Sequence, residues 1–213
     1  MTKELDIESI QPAIAELERA ARWAADNLGM DVLADKITIV VQSRGRKSKC
    51  RGWFIGKQWS TREGEAVHEV SISAEYLNED PVEIAGTVIH ELVHVWCNLI
   101  GVKDHSKFGR HNKHFKEYAG IVGLECEKPR DSYGYGYTTV SDDLNHRIRR
   151  ELQLNVSAFQ VFRQPNQKAE STTAKPTAYV CQCTKPVKIR TTRDDFSIKC
   201  NKCGTDYTAE DAK

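Results

Sequence analysis

The sequence has no long hydrophobic run and no excess of charge of one sign. No stretch approaches the roughly 18 consecutive apolar residues that a membrane-spanning helix needs, and the first residues, MTKELDIESIQPA, lack the apolar segment of a signal peptide. We therefore expect a cytoplasmic protein, nucleoid-associated or nuclear depending on the source, with no membrane partner. The formal net charge is +1, which argues against a chain attracted to nucleic acid by its total charge and leaves room for a local basic patch.

Disulfide bonds are not expected in this chain, because thiols stay reduced in the cytosol. The sequence nevertheless contains seven cysteines among its 213 residues, and clustered cysteines in such a compartment are first of all candidate metal ligands. Four of them lie near the C-terminus: Cys181, Cys183, Cys200 and Cys203. Domains usually contain about 100–200 residues, so the length predicts one full domain with a smaller one attached.

Hydrophobic periodicity predicts an α+β fold for the larger domain. Apolar residues recur at helical spacing over residues 10–28, and the β-branched segments 36–42, 51–55 and 68–73 follow, which we interpret as a small antiparallel sheet. Asp80 and Pro81 begin a second helix, with Asp80 as its N-cap, which stops at Gly101. A shorter helix is expected over residues 114–122, and another one with Asp142 as its cap.

The domain boundary is expected where large apolar side chains are missing. Residues 164–177 contain no aliphatic side chain larger than alanine, so they cannot bury enough surface to offset the entropy lost on ordering. The sequence therefore predicts a large domain over residues 1–163, a flexible linker over 164–177 and a small domain over 178–213.

The segment from His90 to His94 reads His-Glu-Leu-Val-His and lies within the second predicted helix. Residues four apart lie on one face of a helix, so both imidazoles can bind a single ion, with Glu91 a quarter-turn away. The opposite side of the helix is apolar, which predicts that the histidine side faces a cleft. The pattern is typical of a zinc site in which a glutamate acts as general base.

A catalytic zinc ion takes three protein ligands and leaves a fourth position for water, so a third ligand is needed. The metzincin pattern places a histidine six residues after His94, where this chain has Ile100, which excludes that subclass. The residues alone leave several downstream candidates for the third ligand. They also permit manganese as well as zinc. These candidates are His105, His111, His114, Glu117 and Glu125.

A second metal site is predicted from the C-terminal cysteines. The pairs Cys181-x-Cys183 and Cys200-x-x-Cys203 are separated by a short basic segment. Four thiolates saturate a tetrahedral zinc ion, so this site is expected to be structural and to fold a segment too small for its own core. The composition is that of a zinc ribbon, although the first pair is tighter than the common Cys-x-x-Cys.

Basic and aromatic side chains alternate around this cysteine-rich segment. They can contact phosphates and stack on bases, and a solvated charged surface is the alternative interpretation. The candidate nucleic-acid-binding residues are Lys185, Lys188, Arg190 and Arg193.

Two parts of the sequence resemble one protein family. The segment 109–117, Gly-Arg-His-Asn-Lys-His-Phe-Lys-Glu, resembles the SprT-like metalloproteases, including their Spartan branch, in which a His-Gly-x-x-Phe-type sequence follows HExxH. His111 then takes the third-ligand position and Phe115 the aromatic position, while Asn112 replaces the usual glycine and His114 is the alternative ligand. The pattern Tyr-x-Cys-x-Cys followed by Cys-x-x-Cys-Gly resembles the zinc ribbon of bacterial SprT proteins. The resemblance covers roughly residues 10–125 and 178–208.

The resemblance implies a zincin-like zinc metalloendopeptidase. His90, His94 and His111 would hold the catalytic zinc, Glu91 would take the proton of a water molecule that attacks the peptide carbonyl, and the four cysteines would hold a structural zinc. The substrates would be proteins bound or crosslinked to DNA, so DNA is an expected partner of a chain that we expect to be a monomer.

Two other functions remain open at this point. The first is a DNA-binding or adaptor module on a zincin fold with little or no proteolysis, against which the intact Glu91 speaks. The second is a deformylase-like amidase, which would need an upstream cysteine ligand motif that is missing near Cys50. The glycine-rich loop 132–137 contains three tyrosines. For each of them a packing or turn role is favoured over a place at the rim of the cleft or a hydrogen bond to a developing oxyanion. The tyrosines of this loop are Tyr133, Tyr135 and Tyr137.

Overall fold

The computed structural model describes residues 6–30, 36–43, 50–106, 110–127, 134–135, 137–164, 176–193, 195 and 197–210. The chain divides into two compact units, Met1–Asn166 and Gln167–Lys213. The predicted linker, residues 164–177, lies almost entirely outside the described residues. Within the described part, no helix combines the length and the apolar character needed to cross a membrane. Helices and small sheets occur together, which confirms the α+β class.

The first helix, α1 (Gln11–Asn27), matches the predicted span within one residue. Pro12 stands in its first turn, where the missing N–H costs nothing. Gly29 ends it with φ of 73°, a left-handed conformation that favours glycine. One face of the helix is buried. The buried residues of α1 are Ala13, Leu17, Ala20 and Ala24.

The sheet contains β1 (Ile37–Gln42), β2 (Gly52–Ser60) and β3 (Ala66–Ser73) in the order β1-β3-β2. β2 and β3 form an antiparallel hairpin, but β1 pairs with β3 in parallel, with Ile39 opposite Val70. The expectation of a purely antiparallel sheet is therefore wrong. β3 is the central strand of this sheet, and its side chains are mostly buried. It lies between β1 and β2 and runs parallel to β1.

The second helix, α2 (Pro81–Leu99), begins as predicted, with the carboxylate of Asp80 accepting from the backbone N–H of Val82 at 2.9 Å. It contacts α1, β2 and β3, and its apolar side is buried in the core. Val88, Leu92 and Val95 are at most 1% exposed. Packing of this side against α1 and the sheet leaves the histidine side toward a cleft.

The helices after α2 are short. α3 (Lys113–Ile121) is capped by Asn112, whose side-chain oxygen accepts from the backbone N–H groups of His114 and Phe115. β4 (Leu124–Cys126) and β5 (Thr138–Val140) then form an antiparallel pair. α4 (Asp142–Arg147) continues as a π-helical turn over Ile148–Leu152. Its cap is Ser141 rather than the expected Asp142, because the Ser141 hydroxyl accepts from the N–H of Leu144.

Two 3-10 turns and a small second sheet complete the described fold. Ala74–Tyr76 and Val156–Phe159 are single 3-10 turns in the first unit. The second unit contains β6 (Thr177–Val180), β7 (Lys188–Thr191) and β8 (Thr208–Ala209), in the order β7-β6-β8 with both pairs antiparallel. Among the described residues of this unit, the buried apolar positions are Cys181 and Cys200, so the four-cysteine cluster takes the place of a core there.

Candidate metal centres

Two groups of side chains bring metal-binding atoms together in the described residues. One nitrogen each from His90, His94 and His111 lie within 4.8 Å of one another, and so do the four sulfurs of the C-terminal cysteines. Both groups can hold a metal ion. His114 is outside the histidine group, because it lies on the exposed side of α3, where its Nδ1 is 3.9 Å from the Glu117 carboxylate.

Each of the three histidines has a partner for its Nδ1 atom. Nδ1 of His94 lies 2.5 Å from Oδ2 of Asp104, and Nδ1 of His90 lies 2.8 Å from the Thr138 hydroxyl. Nδ1 of His111 donates to the backbone carbonyl of Tyr135 at 3.0 Å. Partners of this kind orient an imidazole and leave its Nε2 lone pair for a metal.

The two Nε2 atoms of His94 and His111 lie only 3.0 Å apart. A carbonyl and a carboxylate can only accept, so in the neutral rings both Nδ1 atoms carry the hydrogen and both Nε2 atoms present lone pairs. Two facing lone pairs repel each other, and a cation shared by the nitrogens removes the repulsion. The spacing therefore fits a metal-binding donor set better than an ordinary hydrogen-bonded pair.

Burial keeps the imidazoles of His90 and His111 neutral. It lowers the pKa of His90 well below its usual value, and the nearby His94 and His111 lower it further. Burial also lowers the pKa of His111 to about 4, with a further decrease from His94 that outweighs the hydrogen bond to Tyr135. Only the neutral imidazole can bind a metal, so His90 and His111 are in their binding form at neutral pH.

Phe115 forms the floor under the three histidines. Its ring is fully buried and lies 3.9 Å from the His111 ring, centroid to centroid, at an interplanar angle of 14°. The rings of His94 and His90 lie 4.7 and 4.8 Å from it. The cap at Asn112 starts α3 directly after His111, and this start places Phe115 against the histidine.

Glu91 is 4% exposed and lies against strand β2. A Cβ atom at Gly52 would lie 2.9 Å from Cγ and 3.0 Å from Oε1 of Glu91. Glycine at this strand position allows the backbone of β2 to approach the carboxylate closely. Sequence analysis placed Gly52 in a predicted strand and assigned it no role. A lone glycine within a strand is the feature that could have indicated a close approach of another element.

The cleft beside the histidines has a volume of about 1290 Å³. Its walls come from the histidine side of α2, from β2 and from β5, and Glu91 and the three histidines line it. Tyr137 is 70% exposed and also lines the cleft. The backbone carbonyl of Tyr135 accepts the hydrogen bond from His111, while its ring lies 5.3 Å from the ammonium of Lys116. Tyr133 lies outside the described residues.

Sequence reasoning missed Asp104 and Thr138, the partners of His94 and His90. Asp104 is an ordinary acidic residue in a polar loop, and no spacing rule connects a loop carboxylate to a helix histidine ten positions earlier. Thr138 lies 48 positions after His90, and the packing of β5 against α2 brings it to the site.

The cysteine cluster is built from two turns. The backbone N–H of Val187 donates to Sγ of Cys181 at 3.2 Å, and Sγ of Cys183 lies 3.7 Å from Sγ of Cys200. The second turn ends at Gly204, whose φ is 69° and whose N–H donates to the Cys200 carbonyl at 2.8 Å. The N–H to sulfur hydrogen bond stabilises a thiolate.

Cys183 and Cys203 differ in how readily their thiols ionise. Hydrogen bonds, first of all with Thr205, lower the pKa of Cys203 to about 6. Hydrogen bonds with the neighbouring thiols, first of all with Cys203, raise the pKa of Cys183 to about 12. Thiolates at this distance repel each other, so all four lose their protons together only when a cation binds.

Two of the four predicted nucleic-acid contacts are engaged in ion pairs. The ammonium of Lys188 lies 2.5 Å from the carboxylate of Glu210, and the guanidinium of Arg193 lies 2.8 Å from that of Asp195. Lys185 and Arg190 are exposed, and the described residues place no carboxylate within ion-pair distance of either. Arg190 and Lys188 are two apart on β7 and share one face of the strand.

No protein-family model, curated protein or solved structure matches this chain. What the chain does is therefore inferred from its motifs and from the geometry of its two candidate metal centres.

Proposed function

We propose that this protein is a zinc-dependent metallopeptidase of the zincin type, and that it belongs with the SprT-like proteins that its motifs resemble. The observation that carries the proposal is the convergence of three imidazole nitrogens beside a buried glutamate in an open cleft. Glu91 is adjacent in sequence to His90, so it lies next to any ion that the histidines bind.

Zinc suits both donor sets. Two nitrogens bound tetrahedrally at about 2.0–2.1 Å from zinc are about 3.3 Å apart, close to the spacing of His94 and His111. Three histidines leave one coordination position open, as in catalytic zinc sites, and four cysteines leave none, as in structural sites. A zinc ion held by three imidazoles supplies Lewis acidity, lowering the pKa of water to about 7 and polarising a carbonyl group.

The residues of the chain supply the rest of the chemistry. Glu91 accepts the proton of the attacking water and returns it to the leaving amine, as a positioned general base and acid. Its close contact with Gly52 fixes the carboxylate against β2. Asp104, Thr138 and the Tyr135 carbonyl hold the three imidazole rings in place, and this reduces the reorganisation that binding requires.

The size of the cleft supports a polymeric substrate. Pockets for small molecules usually enclose about 300–1,000 Å³, and this cleft is larger and open on one side. A peptide or a protein loop suits such a site better than a small amide does. This favours a peptidase over a deformylase-like amidase.

DNA enters the proposal through the second unit and through the family resemblance. The exposed Lys185 and Arg190 offer two cations for phosphates, and Lys188 adds a third on the same face as Arg190. The proposed substrates are accordingly proteins bound or crosslinked to DNA.

The test combines metal content with cleavage. Mass spectrometry of purified wild type is expected to find two zinc ions, with one lost in His90→Ala, one lost in Cys200→Ser and none lost in the control His114→Ala. Degradation of a DNA-binding protein, with and without DNA, is expected in wild type and absent in Glu91→Gln. An unchanged metal count in His90→Ala would overturn the catalytic site. Two zinc ions without cleavage under any condition would favour a recognition module instead.

A further inference from the structure

Asp104 contacts two histidines at once. Its Oδ2 lies 2.5 Å from Nδ1 of His94, and its Oδ1 lies 2.5 Å from Nδ1 of His105. The Asp104 side chain is 7% exposed, while that of His105 is 56% exposed. One buried carboxylate thus links a candidate metal ligand to an open histidine.

His105 is also held through its backbone. It forms an antiparallel bridge with His111, and on either side the N–H of Asn112 donates to the Asp104 carbonyl at 2.9 Å and that of Ser106 to the Arg110 carbonyl at 2.8 Å. The bridge therefore holds His105 beside His111. Both histidines line the same cleft.

The hydrogen bond to Asp104 determines which ring nitrogen of His105 can bind another group. The carboxylate accepts the Nδ1 hydrogen, so in the neutral ring Nε2 of His105 is a hydrogen-bond acceptor on the exposed side of the ring. A histidine that only shields Asp104 from water would need no partner at Nε2. A histidine that binds substrate would need an N–H or O–H donor there.

We propose that His105 is a substrate-binding residue whose Nε2 accepts a hydrogen bond from a main-chain N–H of the peptide in the cleft. The inference rests on the proposed peptidase function and adds a contact outside the metal ligands and Glu91. The main-chain N–H is the donor that a peptide brings whatever its sequence, which suits an enzyme acting on many proteins. Asp104 is the positioning residue for this contact.

The experiment measures peptide binding without turnover. The probe is a fluorescein-labelled short peptide spanning a cleavage site mapped in casein, together with analogues that each carry one N-methylated amide. Fluorescence anisotropy gives the affinity for zinc-loaded Glu91→Gln protein, alone and combined with His105→Phe, His105→Gln or the control His114→Phe. Zinc content and circular dichroism of every variant show whether metal and fold are retained.

The expected result is a position-specific loss. One N-methylated analogue should bind Glu91→Gln about fivefold to tenfold more weakly than the parent peptide, the usual effect of one lost hydrogen bond. The same analogue and the parent should bind equally to the His105→Phe combination. His105→Gln should restore part of the difference, because its side-chain oxygen can accept, and His114→Phe should change nothing.

Two outcomes would overturn the inference in different ways. If the parent peptide binds His105→Phe as tightly as it binds the background protein, or the N-methyl effect persists there, His105 does not hold the main chain although peptide binding stands. If wild type cleaves no casein, no cleavage-site peptide can be defined, and the proposed peptidase function and this inference fail together.

Discussion

Gly52 on strand β2 lies directly against Glu91 on helix α2: a Cβ atom at Gly52 would be 2.9 Å from Cγ of the glutamate and 3.0 Å from Cγ2 of Thr87. The strand and the helix can approach this closely only because residue 52 has no side chain. The position of the proposed general base is therefore determined by a glycine that carries no chemistry itself.

Substitution of Gly52 by alanine is expected to displace Glu91 without removing a metal ligand. The added methyl group overpacks the contact, which typically costs about 1–3 kcal/mol of unfolding free energy, and kcat should fall at least tenfold while zinc content stays at the wild-type value. The matched control is Gly120→Ala in α3, where no atom lies within 4 Å of the added Cβ. Peptidase kinetics, mass spectrometry and chemical denaturation test this, and an unchanged kcat in Gly52→Ala contradicts it.

Substitution of Asp104 by asparagine is expected to weaken metal binding at the histidine site. Burial favours the neutral acid, but hydrogen bonds from His94 and His105 outweigh it and lower the pKa of Asp104, so the native group is a carboxylate. Losing its charge makes the His94 imidazole a poorer ligand, and partners of this kind change metal affinity by about 10–100-fold. Competition with a chromogenic chelator measures the change. The control is Asp143→Asn, an exposed carboxylate in the first turn of α4.

The metal-free protein is expected to lose stability as the pH falls from about 6.5 to about 4. Burial lowers the pKa of His111 to about 4, so the unfolded chain binds a proton in this range that the folded chain does not, and acid favours unfolding. The contribution of His111 is on the order of 3 kcal/mol, present above pH 6.5 and lost as the pH approaches 4. Urea denaturation of chelator-treated protein at several pH values checks this.

The control for the pH dependence is a pair of asparagine variants. His111→Asn should show a shallower decrease of the unfolding free energy between pH 6.5 and pH 4, since one of the buried histidines with a lowered pKa is gone. His114→Asn is the control, because His114 lies outside the histidine group, and it should keep the wild-type slope. Equal slopes in wild type and His111→Asn would show that His111 does not titrate in this way.

Local patterns predicted the elements that carry the site. The helix of His90 and His94 follows from its cap at Asp80, its proline and its apolar periodicity, which all act between neighbouring residues. The order and direction of the strands depend instead on contacts between residues far apart in the sequence. The parallel pairing of β1 with β3 depends on which strand becomes buried on both sides, and alternation within a strand does not encode its neighbours.

The same distinction separates the ligands from the residues that hold them. His90, His94 and the cysteine pairs have fixed short spacings, so the sequence alone pointed to them. Asp104, Thr138 and the Tyr135 carbonyl reach the histidines through loop and strand packing, and their spacing along the chain carries no chemical meaning. His111 lies between these cases. The family resemblance favoured it over His114, and the N-cap of α3 gives the physical reason, because it places His111 before the helix and His114 on a side away from the other histidines.

Asn112 is expected to contribute both to stability and to the metal site. Its side chain caps α3 at 2.8 Å from the N–H of His114, next to His111. Asn112→Ala should lower the unfolding free energy by about 1 kcal/mol, whereas Asn112→Gly should cost only a few tenths. Zinc affinity should follow the same order, because a frayed α3 start loosens His111 and Phe115. Denaturation and chelator competition measure both quantities, and a glycine variant weaker than the alanine variant in both would refute the capping explanation.

Removal of Lys185 and Arg190, two exposed cations with no described carboxylate within ion-pair distance, is expected to weaken DNA binding more than removal of a paired cation. Each cation that contacts phosphate contributes about one to the slope of log affinity against log salt concentration, so Lys185→Ala combined with Arg190→Ala should lower that slope by about two. Lys188→Ala should have a smaller effect, because Lys188 already pairs with Glu210. Arg149→Ala, an exposed arginine of the first unit paired with Asp80, is the control. Fluorescence anisotropy with a labelled oligonucleotide over a salt series gives the slopes. A double variant that binds like wild type would remove β7 and its flanking turn from the DNA-binding surface while leaving the histidine site untouched.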